Sequence, residues 1–161
     1  MADGTQVLVR SEAPRGMTPG RLDDKGRLRL PTALSRYFQD LVEKKLFVTS
    51  LDRRTAQIYP IAVWRENEKF FQTYREKPAL AKAVAFNAAD LGSETEMDSQ
   101  GRVLFSPELR RELGLENQAL RVYAYRDRIE ILTEAIYEER KRRAADVTET
   151  DVEDLQAAGL N

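Results

Sequence analysis

Apolar and polar positions along this chain follow one pattern twice. Residues 22–38 (LDDKGRLRLPTALSRYF) and 97–113 (MDSQGRVLFSPELRREL) match at a constant offset of 75 residues. Matched pairs are Leu22 with Met97, Asp23 with Asp98, Gly26 with Gly101, Arg27 with Arg102, Leu28 with Val103, and Leu30 with Phe105. A repeat of fixed period indicates equivalent structural units. We therefore predict two matching halves, each completing the core of the other.

The same spacing predicts the elements of the first half. Residues 27–30 alternate basic and apolar side chains, which is typical of a half-buried strand. A turn at 23–26 would join it to a strand at 17–22, since Asp and Gly favour tight turns. Helical spacing of apolar residues predicts a helix from Pro31 to about Lys45. Later predicted elements are strands at 46–49 and 56–59, a helix at 62–74, and a helix or connector at 79–89.

The second half repeats this order. Ser106 is a good N-cap before Pro107, and the helix that it starts is predicted to end near Gly114. Other predicted elements are strands at 94–97, 102–105, 120–125 and 128–132, and a helix at 134–145. The acidic tail at 146–161 is predicted to be loosely ordered. Each half alone is too small to bury a good core, which favours interlocked halves.

Composition removes several classes of function. The 161 residues include 33% charged side chains, yet the formal net charge is −1, so only a local basic face could attract a polyanion. There is no cysteine and no histidine, which excludes disulfides, catalytic triads and zinc sites with Cys or His ligands. We predict no enzyme activity, catalytic residue, metal or cofactor. Without a signal-peptide core or a membrane-length apolar run, a cytoplasmic protein without a membrane partner is expected.

The repeated Asp-x-x-Gly-Arg motif has three interpretations. In the architectural one, Asp23, Gly26, Asp98 and Gly101 structure the hairpins, and each arginine pairs with its aspartate. A catalytic carboxylate dyad is disfavoured, because an adjacent arginine lowers a carboxyl pKa and opposes proton sharing. In the third, the hairpin recognises anions, since arginine suits phosphates and the guanine edge. Candidate DNA contacts are Arg21, Lys25, Arg27, Arg29 and Arg102.

These motifs resemble the MraZ family of bacterial transcriptional regulators, whose chains carry two AbrB/SpoVT-type repeats. The resemblance covers about residues 14–140. It is carried by Arg15-Gly16-Met17-Thr18, LDDKGRLRLP, Tyr59-Pro60 with Trp64, Glu94, MDSQGR, and Pro107-Glu108-Leu109-Arg110. Two segments depart from the family pattern: Pro19-Gly20 replace apolar strand residues, and 81–91 lacks the arginines common before the second repeat.

The resemblance implies both a fold and a function. The fold would be α+β, mainly β: a pseudo-twofold, swapped-hairpin (double-split) β-barrel built from two β-β-α-β-β-α repeats. The function would be a nucleoid-associated repressor of the division and cell-wall gene cluster. It would bind short G-rich direct repeats of double-stranded DNA, including those before its own gene, as a ring-shaped homo-oligomer. The motif arginine would be the DNA contact.

The resulting domain division follows the repeats. We expect an N-terminal extension at 1–14, a first AbrB/SpoVT-type repeat at 15–77, a connector at 78–92, a second repeat at 93–145, and the acidic tail at 146–161. One alternative function is an antitoxin-like or scaffold protein–protein module on the same barrel. A metal-dependent or carboxylate enzyme ranks behind both.

Overall fold

The computed structural model describes residues 12–161, so most of the expected N-terminal extension lies outside the described residues. Within this range the chain is mixed α+β, as predicted. Its strands are β1 Met17–Gly20, β2 Arg27–Arg29, β3 Lys45–Thr49, β4 Ala56–Pro60, β5 Ser93–Glu96, β6 Arg102–Leu104, β7 Leu120–Tyr125 and β8 Arg128–Thr133. Its helices are α1 Thr32–Gln39, α2 Ile61–Thr73, α3 Pro78–Leu91, α4 Pro107–Leu113, α5 Glu134–Ala144 and α6 Glu149–Ala157.

Six strands form one antiparallel sheet in which the two halves exchange their first strands. The order is β1-β7-β8-β4-β3-β5, which reads equivalently from either edge when the repeats are matched. β1 of the first half pairs with β7 of the second, and β5 of the second pairs with β3 of the first. Each half therefore depends on the other for a complete sheet.

The sheet does not close into the barrel that the resemblance implied. β1 and β5 are its two edges, and among residues 12–161 no strand ladder joins them. The cause lies in β2 and β6, which pair with each other in a separate two-stranded antiparallel sheet. The strands that follow the two motif turns are thus bound to one another.

The core continues across both halves. Leu28 and Val103, which face each other in β2 and β6, are fully buried, and so are Ile58 and Ile131 in the central strands. A second, smaller cluster covers β3 and β4 and is built around Trp64 of α2. Burial of these side chains supplies the main driving force for association of the halves.

Three elements differ from the sequence prediction, each for a local reason. α1 ends at Gln39, about one and a half turns before Lys45, because Lys45 begins β3 and pairs with Glu96. The ambiguous segment at 79–89 is helical within α3. Within the tail, 149–157 is a helix rather than a loosely ordered stretch, since Thr148 and Asp151 form a reciprocal capping box at its start. Every residue of α6 is exposed.

Candidate nucleic-acid interface

The first motif turn is organised by the carboxylate of Asp23. Its Oδ1 accepts hydrogen bonds from the backbone N–H groups of Lys25 and Arg27, both at 2.9 Å, and its Oδ2 accepts one from Nε of Arg27 at 2.8 Å. Gly26 closes the turn, donating its N–H to the Asp23 carbonyl at 3.0 Å with a φ of 81°. That conformation favours glycine, because a Cβ is strained there.

The second motif turn reproduces this geometry. Oδ1 of Asp98 accepts from the N–H groups of Gln100 and Arg102 at 2.9 Å, and Oδ2 accepts from Nε of Arg102 at 2.8 Å. Gly101 has a φ of 75°. The pairing of arginine with aspartate is therefore present in both copies, although the intervening residues differ. Local motif chemistry accounts for this conformation.

Both aspartates are held in the ionised form. The backbone hydrogen bond from Arg27, aided by its guanidinium and by the N–H of Lys25, lowers the Asp23 pKa from 3.8 to about 2. The pKa of Asp98 is lowered by the equivalent bonds, chiefly the backbone N–H of Arg102. A carboxylate bound in this way cannot act as a proton-sharing acid, so its chemical effect is to orient the arginine beside it.

Each turn rests on the helix of the other half. Gly26 packs against the guanidinium of Arg110 in α4, and a Cβ at Gly26 would overlap that group. Gly101 faces Ser35 in α1, whose Cβ would lie 3.3 Å from a Cβ added to the glycine. Ser35 and Arg110 are themselves matched at the offset of 75 residues, a signal that could have identified both contacts from the sequence. Sequence reasoning missed this supporting role.

The paired strands β2 and β6 present an outward face dominated by arginine. In their register Arg27 lies opposite Leu104, and Arg29 lies opposite Arg102. We call these four residues the arginine face. The Arg27 and Arg102 side chains are 25% and 21% exposed, while Arg29 is exposed. Within residues 12–161, the terminal amino groups of Arg27 and Arg102 have no hydrogen-bond partner, so they remain available to a ligand.

The other predicted contacts lie around this face. Lys25 is exposed in the first turn, and Arg21 is exposed just before it. Arg29 donates from Nη1 to the carbonyl of Gln100 at 3.3 Å, which ties the first hairpin to the second turn. The structure thus brings Arg27, Arg29 and Arg102 together and leaves the remaining two predicted cations at the flank.

The arginine face is a raised surface without a cavity. A cleft of about 1060 Å³ lies elsewhere, and its lining includes Glu12, Arg15, Asp40 and Arg128 but none of the arginine face. In the described portion of the chain, no three acidic side chains are grouped as a metal site would require. No described helix has the length and apolar character needed to span a bilayer. An exposed cationic surface is suited to a macromolecular anion, whereas small-molecule sites are usually concave.

Comparison with known proteins identifies relatives over most of the chain. The family described as "MraZ protein, putative antitoxin-like" matches residues 92–157, which include the second motif. A protein of Acidobacterium capsulatum named "Transcriptional regulator MraZ" is 39% identical over 99 residues, covering 61% of this chain and 66% of the relative. The chain thus spans slightly under two thirds of that relative.

Other relatives extend the similarity to nearly full length. The protein of that name from Nitrosospira multiformis is 33% identical over 112 residues, covering 67% of this chain and 74% of its own length. The one from Citrobacter koseri is 30% identical over 154 residues, covering 91% of this chain and 99% of the relative. Together with the two motif turns, these matches show that the chain belongs to the MraZ family.

Proposed function

We propose that this chain is a sequence-specific DNA-binding transcription regulator that acts as a repressor. Its targets are short G-rich direct repeats before the division and cell-wall gene cluster, including the region before its own gene. The observation that carries the proposal is the arginine face, in which two aspartate-oriented arginines and Arg29 share one exposed surface. Relatives named transcriptional regulators support the same function.

The geometry gives each arginine a distinct task. A two-stranded ribbon fits the major groove of B-DNA, where arginine binds O6 and N7 of guanine through two parallel hydrogen bonds. Because Nε of Arg27 is held by Asp23, its terminal amino groups are directed outward before DNA arrives. Preorganisation of this kind lowers the entropy cost of binding. Arg102 acts in the same way from the second repeat, while Arg29, Lys25 and Arg21 attract phosphates.

Self-association completes the proposal. A chain of net charge −1 is a weak DNA ligand by itself, since non-specific affinity comes from neutralised phosphates. In a ring-shaped homo-oligomer of swapped-hairpin subunits, identical arginine faces recur at regular spacing. Several weak contacts on one scaffold then bind repeated DNA tightly through effective concentration. Such an assembly would reside on the nucleoid in the cytoplasm.

The direct test compares DNA sequences. The wild-type chain is titrated, by fluorescence anisotropy, against the DNA upstream of its own gene and against a scrambled duplex of equal length and composition. A reporter fused to the upstream region measures regulation in cells. We expect tighter binding to the upstream duplex and a reporter signal that falls when the chain is expressed. Equal affinity for both duplexes contradicts sequence-specific binding.

A second candidate function follows from the antitoxin-like description of the family. In that case the chain binds another protein, and its arginine face meets an acidic protein surface. Purification of the tagged chain from its own cells separates the two functions. A stoichiometric protein partner, together with no preference among duplexes, supports the module. Specific DNA retention without such a partner supports the regulator.

A further inference from the structure

We propose that Leu104 is a specificity determinant that contacts the methyl group of a thymine in the operator. The inference rests on the proposed function and adds a chemical class of base to it. The observation behind it is the composition of the arginine face, which contains one apolar side chain among its arginines. Leu104 is 47% exposed at the position where the first repeat has Arg29.

Leu104 does not contribute to the core in the way its neighbours do. The adjacent residues on β6, Val103 and Phe105, are fully buried on the inner side. Since side chains alternate across a strand, Leu104 points to the same outer side as Arg102. Isolated exposed leucines are common on protein surfaces. This one differs because it lies within the surface proposed to meet DNA.

Its register places it beside a base-reading arginine. Leu104 lies directly opposite Arg27. Cβ atoms of directly opposite residues in an antiparallel pair are about 5 Å apart, whereas successive base pairs are separated by roughly 3.4 Å. When Arg27 binds a guanine, Leu104 therefore reaches the same base pair or the next one along the groove.

Base chemistry then selects the ligand of this side chain. On the major-groove edges the thymine C5-methyl is the apolar group, while guanine and adenine present acceptors and donors. A leucine over a purine edge displaces water without replacing its hydrogen bonds, which is unfavourable. Over a thymine it buries a methyl. The two repeats thus read different groups: Arg29 selects a guanine edge or a phosphate, and Leu104 selects thymine.

The test removes the methyl group from DNA and the leucine from the protein. A duplex is selected by the wild-type chain from a randomised library, and each thymine is replaced singly by deoxyuridine, which lacks only the methyl. Anisotropy is measured for the wild type, Leu104→Ala and the control Leu80→Ala, whose parent leucine is 57% exposed on α3. We expect about a fourfold loss of affinity at one thymine position for the wild type. Leu80→Ala should show the same loss, and Leu104→Ala should show none.

Other outcomes overturn the proposal. A selected duplex without thymine beside guanine contradicts it, as does a Leu104→Ala variant that keeps the wild-type response to deoxyuridine. A Leu104→Ala variant that changes the oligomer mass by light scattering assigns the leucine to assembly and also contradicts it. If the wild type binds its selected duplex without any methyl effect, this inference fails while the proposed function stands. If the wild type selects no duplex, both fail.

Discussion

Arg29 lies directly opposite Arg102 in the register of β2 and β6, so the two repeats bring like charges face to face. Arg102 has Asp98 as its ion-pair partner, whereas Arg29 is bound through the neutral carbonyl of Gln100. Directly opposite like charges destabilise an antiparallel pair. An anion bound between them would relieve that repulsion, which is the relationship expected of a phosphate- or base-binding surface.

The first prediction follows from this pairing. Arg29→Ala should leave the unfolding temperature unchanged or slightly raised, because removing the repulsion offsets by a few tenths of a kcal/mol the loss of other contacts. The same variant should bind DNA more weakly, and its log–log salt slope should be shallower by about 0.9 for one lost phosphate. Thermal unfolding and anisotropy at several salt concentrations measure the two effects. A marked fall in unfolding temperature contradicts this account of Arg29.

The second prediction concerns Gly26, with Gly114 as a matched control. Both have positive φ, at 81° and 64°, but only Gly26 lies against a side chain from the other half. Gly114→Ala should therefore lose about 1–2 kcal/mol of unfolding free energy from backbone strain alone. Gly26→Ala should lose more, because it also displaces Arg110. Urea denaturation compares them, and equal losses would show that the contact between turn and helix is unimportant.

The third prediction is a pH dependence of the first turn. The Asp23 pKa is lowered from 3.8 to about 2, mainly by the backbone N–H of Arg27. A depressed folded-state pKa means that the stabilisation is complete above about pH 4 and disappears as pH falls toward 2. Wild type should therefore be more stable than Asp23→Asn at pH 6, and the difference should narrow below pH 4. Carbon NMR of the Asp23 carboxyl should give its midpoint near 2; a midpoint near 3.8 contradicts the geometry.

The fourth prediction tests the interlocked halves. Residues 12–77 contain β1 and β3 but lack their partners β7 and β5. Expressed alone, this segment should yield no folded monomer: it should be unfolded at low concentration or pair with a second copy of itself. Circular dichroism over a range of concentrations, together with light scattering, measures this. A cooperative unfolding transition that is independent of concentration, in a monomer, contradicts the exchange of strands.

Local features of the fold were predictable from the sequence. The offset of 75 residues located both motif turns, and the alternation at 27–30 indicated which side chains are buried. The long-range pairing was not, because nothing local to Arg29 specifies Arg102 as its opposite residue. A tight hairpin was expected to join the strands before and after Asp23. Only an isolated bridge between Leu22 and Leu28 connects them, and both strands find longer partners in the second half.

Errors at element ends have the same origin. Apolar spacing past Gln39 is helical, yet the pairing of Lys45 with Glu96 draws the chain into β3. In the tail, composition indicated disorder, while the reciprocal hydrogen bonds of Thr148 and Asp151 start a helix. The open sheet differs from the closed barrel because a resemblance transfers a family's topology without the pairing in each chain. For the site, sequence named the arginines but missed Arg110 beneath Gly26.

The most direct measurement of the central claim is the affinity of Arg27→Ala for the duplex selected by the wild type. The control is Arg75→Ala, whose parent arginine is exposed outside the arginine face. Loss of a bidentate guanine contact costs about 1–3 kcal/mol, so we expect about a tenfold to hundredfold weaker Kd for Arg27→Ala at unchanged oligomer mass. Arg75→Ala should bind as the wild type does. Wild-type affinity and sequence preference in Arg27→Ala would contradict the assignment of the arginine face to DNA.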